Sequence, residues 1–282
     1  MFHGLTHEAI YTAVHTEAKF VGPDGSPLSG YGTAFSIKHH GTLILVTNRH
    51  VVDVTFAAKN QKYVGYKLAE LIFQTRARGA DGYPGEIKPF VLPMTHNQIL
   101  FDNNPRNDVA VIFNPQMSNL GANHDKQWDY CFDYSEIASE EELRSELHPL
   151  DLLTFPGYPP GYDKRGVRAI IRGGTIACDP RFDYMYEQED RGDILLYEGF
   201  SFSGSSGSPM IAVPKVPPPN IDANPKNLFR RQMVVGVNAG HIPTANGTHA
   251  GLSYFVRSSV IRRIIDMHVK SNDDITSTKE SR

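Results

Sequence analysis

Eight short apolar or alternating runs, each bounded by turn residues, constrain this chain more than anything else in it. They are TLILVT (42–47), DVAVIF (108–113), DLLTFP (151–156), GVRAIIRGG (166–174), DILLYE (193–198), PMIAVP (209–214), QMVVGV (232–237) and GLSYFV (251–256). Runs of this length are too short for helices, and Gly and Pro punctuate them. Many short strands of this kind build a sandwich or barrels. Two helices are expected besides. SEIASEEELRSEL (135–147) is acidic, with Ile137, Leu143 and Leu147 partly in helical register and Ser135 as its cap. SSVIRRIIDMHVK (258–270) gathers Val260, Ile261, Ile264, Ile265 and Val269 on one face. The expected order is a β-rich unit over 8–115, a linker with the acidic helix over 116–149, a second β-rich unit over 150–257, a helix over 258–270 and a flexible polar tail over 271–282. The Pro- and Asn-rich stretch 213–227 reads as a loop between strands.

Composition narrows the function classes. The net charge of −3 comes without a long basic run, so neither nucleic acid nor an anionic membrane is expected as the main partner. Cys131 and Cys178 are too few for a disulfide framework and read as ordinary small side chains. The start MFHGLTHEAIYTAVHTEAKF lacks the basic n-region and continuous apolar core of a signal peptide. No run approaches the roughly 20 apolar residues of a spanning helix. A soluble, cytoplasmic protein is expected, with the sequon at Asn246 silent.

The stretch GFSFSGSSGSPM (199–210) stands out between two apolar runs. Alone it is a turn-rich surface loop. Its place in the chain gives it another meaning. His50 lies at the end of VTNRHVV (46–52), and Asp108 opens the strand DVAVIF. Ser206 follows in the Gly-Ser loop. A general base, its orienting carboxylate and a nucleophile in the order His, Asp, Ser match the triad carried by paired β-barrels. An α/β-hydrolase esterase would use the order Ser, Asp, His, here Ser206, Asp222 and His241 or His249, and would need alternating strands and helices. Asp53 is too close in sequence to His50 to reach its Nδ1, and Asp102 does not open an apolar strand. His39 and His40 have no Cys or paired carboxylate at metal-ligand spacing and read as a hairpin-loop pair, so neither metal nor cofactor is expected.

The motifs together resemble the trypsin-like serine peptidases. YGTAFSIKHHGTLILVTNRHVV (31–52) is similar to their Gly-Thr-x-Phe strand and Thr-Asn-x-His-Val-Val signature, and is closest to the bacterial HtrA/Deg-like branch. NDVAVI (107–112) resembles the family's aspartate segment, GSSGSP (204–209) its nucleophile loop, and MVVGVNAG (233–240) and GLSYFV (251–256) the strands flanking its specificity pocket. The resemblance spans about Ile10 to Val269. It implies an all-β fold of two packed six-stranded chymotrypsin-like β-barrels with a helical linker and a C-terminal helix. His50 would be the general base, Asp108 the carboxylate fixing its tautomer, and Ser206 the nucleophile. The N–H groups of Gly204 and Ser206 would form the oxyanion hole, with Gly204 and Gly207 freeing the turn and Pro209 stiffening its exit. Ser208 replaces a second glycine, and Ser205 replaces the aspartate of the digestive and clotting branches. No room is left for a PDZ domain.

The resemblance further places Phe200 at the pocket base, with Asn238, Ala239, Gly240, Gly251 and Ser253 as walls. No carboxylate falls at that base, although Glu198 is two residues away. Small or apolar residues are therefore expected before the scissile bond, not Lys or Arg. His241 and His249 read as surface histidines near the rim, or else as an imidazole site for an acidic side chain. With Ser205 unable to compensate a buried ammonium, activity is expected without N-terminal cleavage, and regulation through loop order or a protein partner. The expected partner is a protein or peptide substrate. The competing expectation is a catalytically inert, protease-like binding module.

Overall fold

The computed structural model describes residues 4–56, 61–119, 128–186, 191–215 and 230–280. Helix α1 (His7–Tyr11) leads into β1 (Ala13–Val21), β2 (Pro27–His39) and β3 (Thr42–Thr47). His40 and Gly41 join β2 to β3 with φ of 47° and 82°. Two positive φ values in a two-residue loop match the twist of a hairpin, which explains the histidine pair there. The short α2 (Arg49–Val52) follows, then β4 (Lys67–Arg78), β5 (Pro84–Pro93), β6 (Leu100–Phe101), β7 (Ala110–Phe113), β8 (Ser118–Asn119) and β9 (Phe132–Asp133). These strands form one nine-stranded sheet with the path β6-β7-β3-β2-β1-β4-β5-β8, and β9 pairs with β2. Phe20, Leu71, Phe73, Phe90 and Leu92 fill its core.

After α3 (Glu140–Glu146) come β10 (Leu152–Gly157), β11 (Ile170–Ile176), β12 (Ile194–Glu198), β13 (Pro209–Ala212), β14 (Met233–Pro243) and β15 (His249–Arg257). They close an antiparallel barrel in the order β10-β11-β12-β15-β14-β13 around Phe155, Tyr197, Met210 and Phe255. Helix α4 (Ser258–Glu280) returns across the molecule. Its Val260, Ile261, Ile264 and Ile265 are buried with Phe35 and Val111 of the first sheet and Val237 of the barrel. At about 1.5–3 kcal/mol per buried large side chain, this shared cluster is what joins the halves.

The all-β class, the closed six-stranded barrel and the C-terminal helix accord with the sequence. The first half differs in strand number, with nine strands where six were expected. Strands β1, β4 and β5 fall outside the eight apolar runs. β4 alternates buried Leu71, Phe73 and Thr75 with outward Ile72, Gln74 and Arg76, so its apolar content is diluted by charge. β11 begins at Ile170 instead of 166, because Val167 adopts a φ of 44° in the preceding turn. The linker helix is shorter than expected. Ala138 N–H donates to Val234 O at 2.9 Å, which breaks the helical register. Ser139, not Ser135, then caps α3 in a capping box with Glu142. The backbone of α4 stays helical to Glu280, past the expected start of a flexible tail at 271. Most of the expected 213–227 loop lies outside the described residues.

Candidate active site

Asn48 and His50 sit where β3 turns into α2. The Asn48 side chain donates to Asp108 O at 2.6 Å, which anchors the start of β7 beside this turn. Asp108 then holds His50 twice. Its Oδ1 accepts the His50 backbone N–H at 2.9 Å, and its Oδ2 lies 2.6 Å from Nδ1. A carboxylate only accepts, so Nδ1 carries the proton and Nε2 is left as the acceptor. Burial works against a charged imidazolium here. The Asp108 carboxylate outweighs it and holds His50 above the ordinary imidazole range.

Thr33, in the Gly-Thr-x-Phe strand, brings the second half to this pair. Its N–H donates to Ser206 O at 2.8 Å, and its Oγ1 donates to Gly204 O at 2.8 Å. Thr47 Oγ1 donates to Thr33 O at 2.7 Å, so the strand that leads to His50 is tied to the same residue. Gly207, with φ of 88°, turns directly over Thr33, and a Cβ there would collide with Thr33 O and Thr47 Oγ1. A Cβ on Gly32 would meet both the Val51 methyls and Ser206 O. Ser206 therefore lies against the segment that carries His50. Gly204 is also left-handed, with φ of 87°. Among the described residues the N–H groups of Ser205 and Gly207 are bonded to Phe202 O and Asn238 O, whereas those of Gly204 and Ser206 donate to no protein group.

Asn238, expected as a pocket wall, is the centre of a buried hydrogen-bond network. Its backbone pairs with Gly207 and Ser208, its Nδ2 donates to Ser201 Oγ (2.8 Å) and Ser205 O (2.9 Å), and its Oδ1 accepts from Tyr197 Oη at 2.7 Å. Ser253 is buried and donates to Gly199 O at 2.9 Å, and it accepts the Ser201 N–H at 3.2 Å. Ala239 is buried beside Asn238, Gly240 lies against the Tyr254 ring, and Gly251 turns with φ of 82° in open space. Phe200 does not join them at a pocket base. Its ring is 54% exposed and packs on Phe202 and His249, with centroids 6.3 and 4.7 Å away. Glu198 is exposed on β12.

His241 and His249 stack at 4.6 Å. The Gly251 N–H donates to His249 Nδ1 at 2.9 Å, while Nε2 lies 3.2 Å from Ser253 Oγ and 3.4 Å from the Ser201 N–H. Burial, and then the neighbouring His241, lower the His249 pKa. Both of its ring nitrogens are engaged by neighbouring protein groups, which weighs against an imidazole site for an acidic side chain.

The other carboxylates are structural. Asp102 is buried and bound by Arg263 through Nε at 2.8 Å and Nη2 at 2.7 Å. Burial pushes its pKa up, but Arg263 and Asn107 more than offset this and leave it below the usual carboxylate range. Asp53 caps Thr55 and pairs with Arg49. Asp222 lies outside the described residues, and an antiparallel barrel is not the parallel sheet an α/β hydrolase needs. No cluster of three or more metal-ligating side chains occurs among the described residues. Thr33 was visible in its motif but not its role, and Tyr197 and Ser201 gave no signal, because their partners are more than thirty residues away.

No protein-family profile matches the chain, and no curated protein matches it in sequence. Its fold is similar to a solved structure, the protease Anisep from Arthrobacter nicotinovorans, at 15% identity and a TM-score of 0.50. That match covers 90% of this chain and 94% of the other. Among the described residues, no helix is long and apolar enough to cross a membrane.

Proposed function

We propose that the chain is a serine endopeptidase acting through His50, Asp108 and Ser206. The observation that carries this reading is the convergence at Thr33. One residue ties the His50 strand, Ser206 O and Gly204 O together and leaves two neighbouring N–H groups free. Ser206 Oγ attacks the scissile carbonyl while His50 Nε2 takes its proton, and the Asp108 carboxylate stabilises the imidazolium. The oxyanion lies against the Gly204 and Ser206 N–H groups. Imidazolium then protonates the leaving amine, and water hydrolyses the acyl-enzyme by the reverse transfers. The similarity of fold to a protease agrees with this reading. The substrate is a protein or peptide, with a small residue before the scissile bond.

A fluorophosphonate probe tests it. Labelling of the wild-type protein that disappears in Ser206→Ala is expected. Absence of labelling, with no hydrolysis across a peptide library, would establish the inert binding module instead.

A further inference from the structure

A second feature borders Gly204 and does not include Asn238. A cavity of about 520 Å³ is lined by His15, Tyr31, Tyr158, Tyr162, Lys164 and the Ser203–Gly204 pair. It lies between the halves, because His15 is on β1, Tyr31 on β2 and the other two tyrosines in the loop after β10. The rings surround His15, with centroids at 5.2 Å for Tyr162, 5.6 Å for Tyr158 and 5.9 Å for Tyr31. Tyr158 and Tyr162 meet edge to face at 5.2 Å and 82°. The loop is held in place. Tyr158 N–H donates to Thr33 Oγ1 at 3.1 Å, and its phenol donates to Ala13 O at 3.2 Å.

The chemistry of this space is selective. Edges and faces of four rings favour another ring by edge-to-face or offset contact. Such a box would also attract a cation. Lys164 opposes that, for it sits at the same cavity with no ion pair among the described residues. Burial, and then the nearby Lys164, keep His15 below its ordinary pKa, so the deep part of the box is neutral. The wall formed by Ser201, Asn238 and Ser253 takes no part in the cavity. If the acyl half of a substrate lies along that wall, the amine half must leave past Gly204 into this space.

We propose that this cavity is the leaving-group subsite, taking an aromatic side chain from one of the two residues after the scissile bond, with a carboxylate next to it facing Lys164 and with cationic side chains excluded. The inference rests on the peptidase reading, and direct binding separates the two. Ser206→Ala protein is titrated by calorimetry with the free-amine peptides Phe-Glu-Ala-amide, Ala-Phe-Glu-amide, Ala-Ala-Glu-amide and Ala-Phe-Lys-amide. At least one of the Phe-Glu peptides should bind tenfold or more tighter than Ala-Ala-Glu-amide and than Ala-Phe-Lys-amide. Tyr162→Ala should remove the preference for Phe, and Lys164→Glu should reverse the order of Glu and Lys. Tyr83→Ala, an exposed tyrosine on the β4–β5 turn, should change neither. The same peptides, offered to the active enzyme as acyl acceptors during ester hydrolysis, should show the same order in the ratio of aminolysis to hydrolysis. Equal binding of all four peptides, a preference for Lys, or no binding would overturn the subsite. Fluorophosphonate labelling lost while the binding order stands would overturn the peptidase reading and leave only a peptide-binding cavity.

Discussion

Asn238 Nδ2 donates to Ser205 O at 2.9 Å and thereby fixes the peptide unit between Ser205 and Ser206. That unit carries the Ser206 N–H. Ser205 itself is buried, and its hydroxyl has no partner among the described residues. The loop is thus held by a neutral amide buried in the barrel. Asn238→Ala should lower kcat by about 10², the scale of a misplaced oxyanion donor, and reduce stability by roughly 1–3 kcal/mol through the orphaned Tyr197 and Ser201 hydroxyls. Turnover and thermal melting measured on the same preparation would show both. Adding residues before Met1 should leave turnover unchanged, since the described partners of this network are all neutral. A variant that worked only after trimming would refute that.

The proposed triad should behave as one unit. Ser206→Ala and His50→Ala should each cost about 10⁶ in turnover, and the double variant little more. Asp108→Asn should cost about 10⁴, because an amide can donate to Nδ1 and favour the wrong tautomer. Single-turnover rates on an activated ester would resolve these differences. A fully active Asp108→Asn would remove the aspartate from the mechanism.

The pH profile follows from the His50–Asp108 pair. The base must be neutral, so kcat/KM should rise with pH and its acid limb should lie above 6.5, the ordinary value for imidazole. In Asp108→Asn the opposing carboxylate is gone and burial remains. A proton NMR titration of His50 should then show its pKa falling below 6.5. The pair stabilises the fold fully below that unperturbed value, and this contribution is lost as pH rises through the elevated pKa of His50. An acid limb below 6.5 in the wild-type protein would contradict the pairing seen here.

Legibility in the sequence depended on how local each determinant is. His50, Asp108, Ser206 and Gly204 each sit in a short motif, and the structure brings their segments to one place through Thr33. β3, β7, β10, β12 and β13 are largely buried apolar runs, which sequence displays directly. β4 hides because half its residues face water, and β1 because His15, Thr16 and Glu17 interrupt its apolar positions. Phe200 is placed at a pocket base by its spacing from the nucleophile in the resemblance, but spacing follows the backbone, and the side chain packs outward on Phe202 and His249. The tyrosine cavity was invisible because it draws on both halves and on a loop with no strand pattern.

Asp102 and Arg263 link the first sheet to α4, and their role is separable from chemistry. Arg263→Met should leave the buried Asp102 carboxylate with only Asn107 and backbone partners and cost about 3 kcal/mol. Denaturant unfolding would measure this. At temperatures where the variant is folded, turnover should stay near wild type. A loss of kcat as large as that of Asp108→Asn would show that Asp102 had been set aside wrongly.

The proposed acyl-side pocket is already filled, and this filling should set specificity. Tyr197, Asn238, Ser201 and Ser253 are bonded to one another, and His249 caps Ser253 from the rim. A long side chain entering there would have to displace this network and strip buried groups of their partners, each at about 1–3 kcal/mol. Lys and Arg face the added loss of hydration with no carboxylate to receive them, because Glu198 is exposed on the outer face of β12. Peptides with Ala, Gly or Ser before the scissile bond should therefore be cleaved at least tenfold faster, in kcat/KM, than peptides with Arg there. Glu should also be poor at neutral pH, since both ring nitrogens of His249 are already engaged by Gly251, Ser201 and Ser253. Its cleavage should improve as pH falls and His249 gains a second proton, within the limit set by protonation of His50. A peptide-library profile at two pH values checks both statements. Preferred cleavage after Arg at either pH would mean that the network opens on binding and that a carboxylate reaches the pocket from elsewhere.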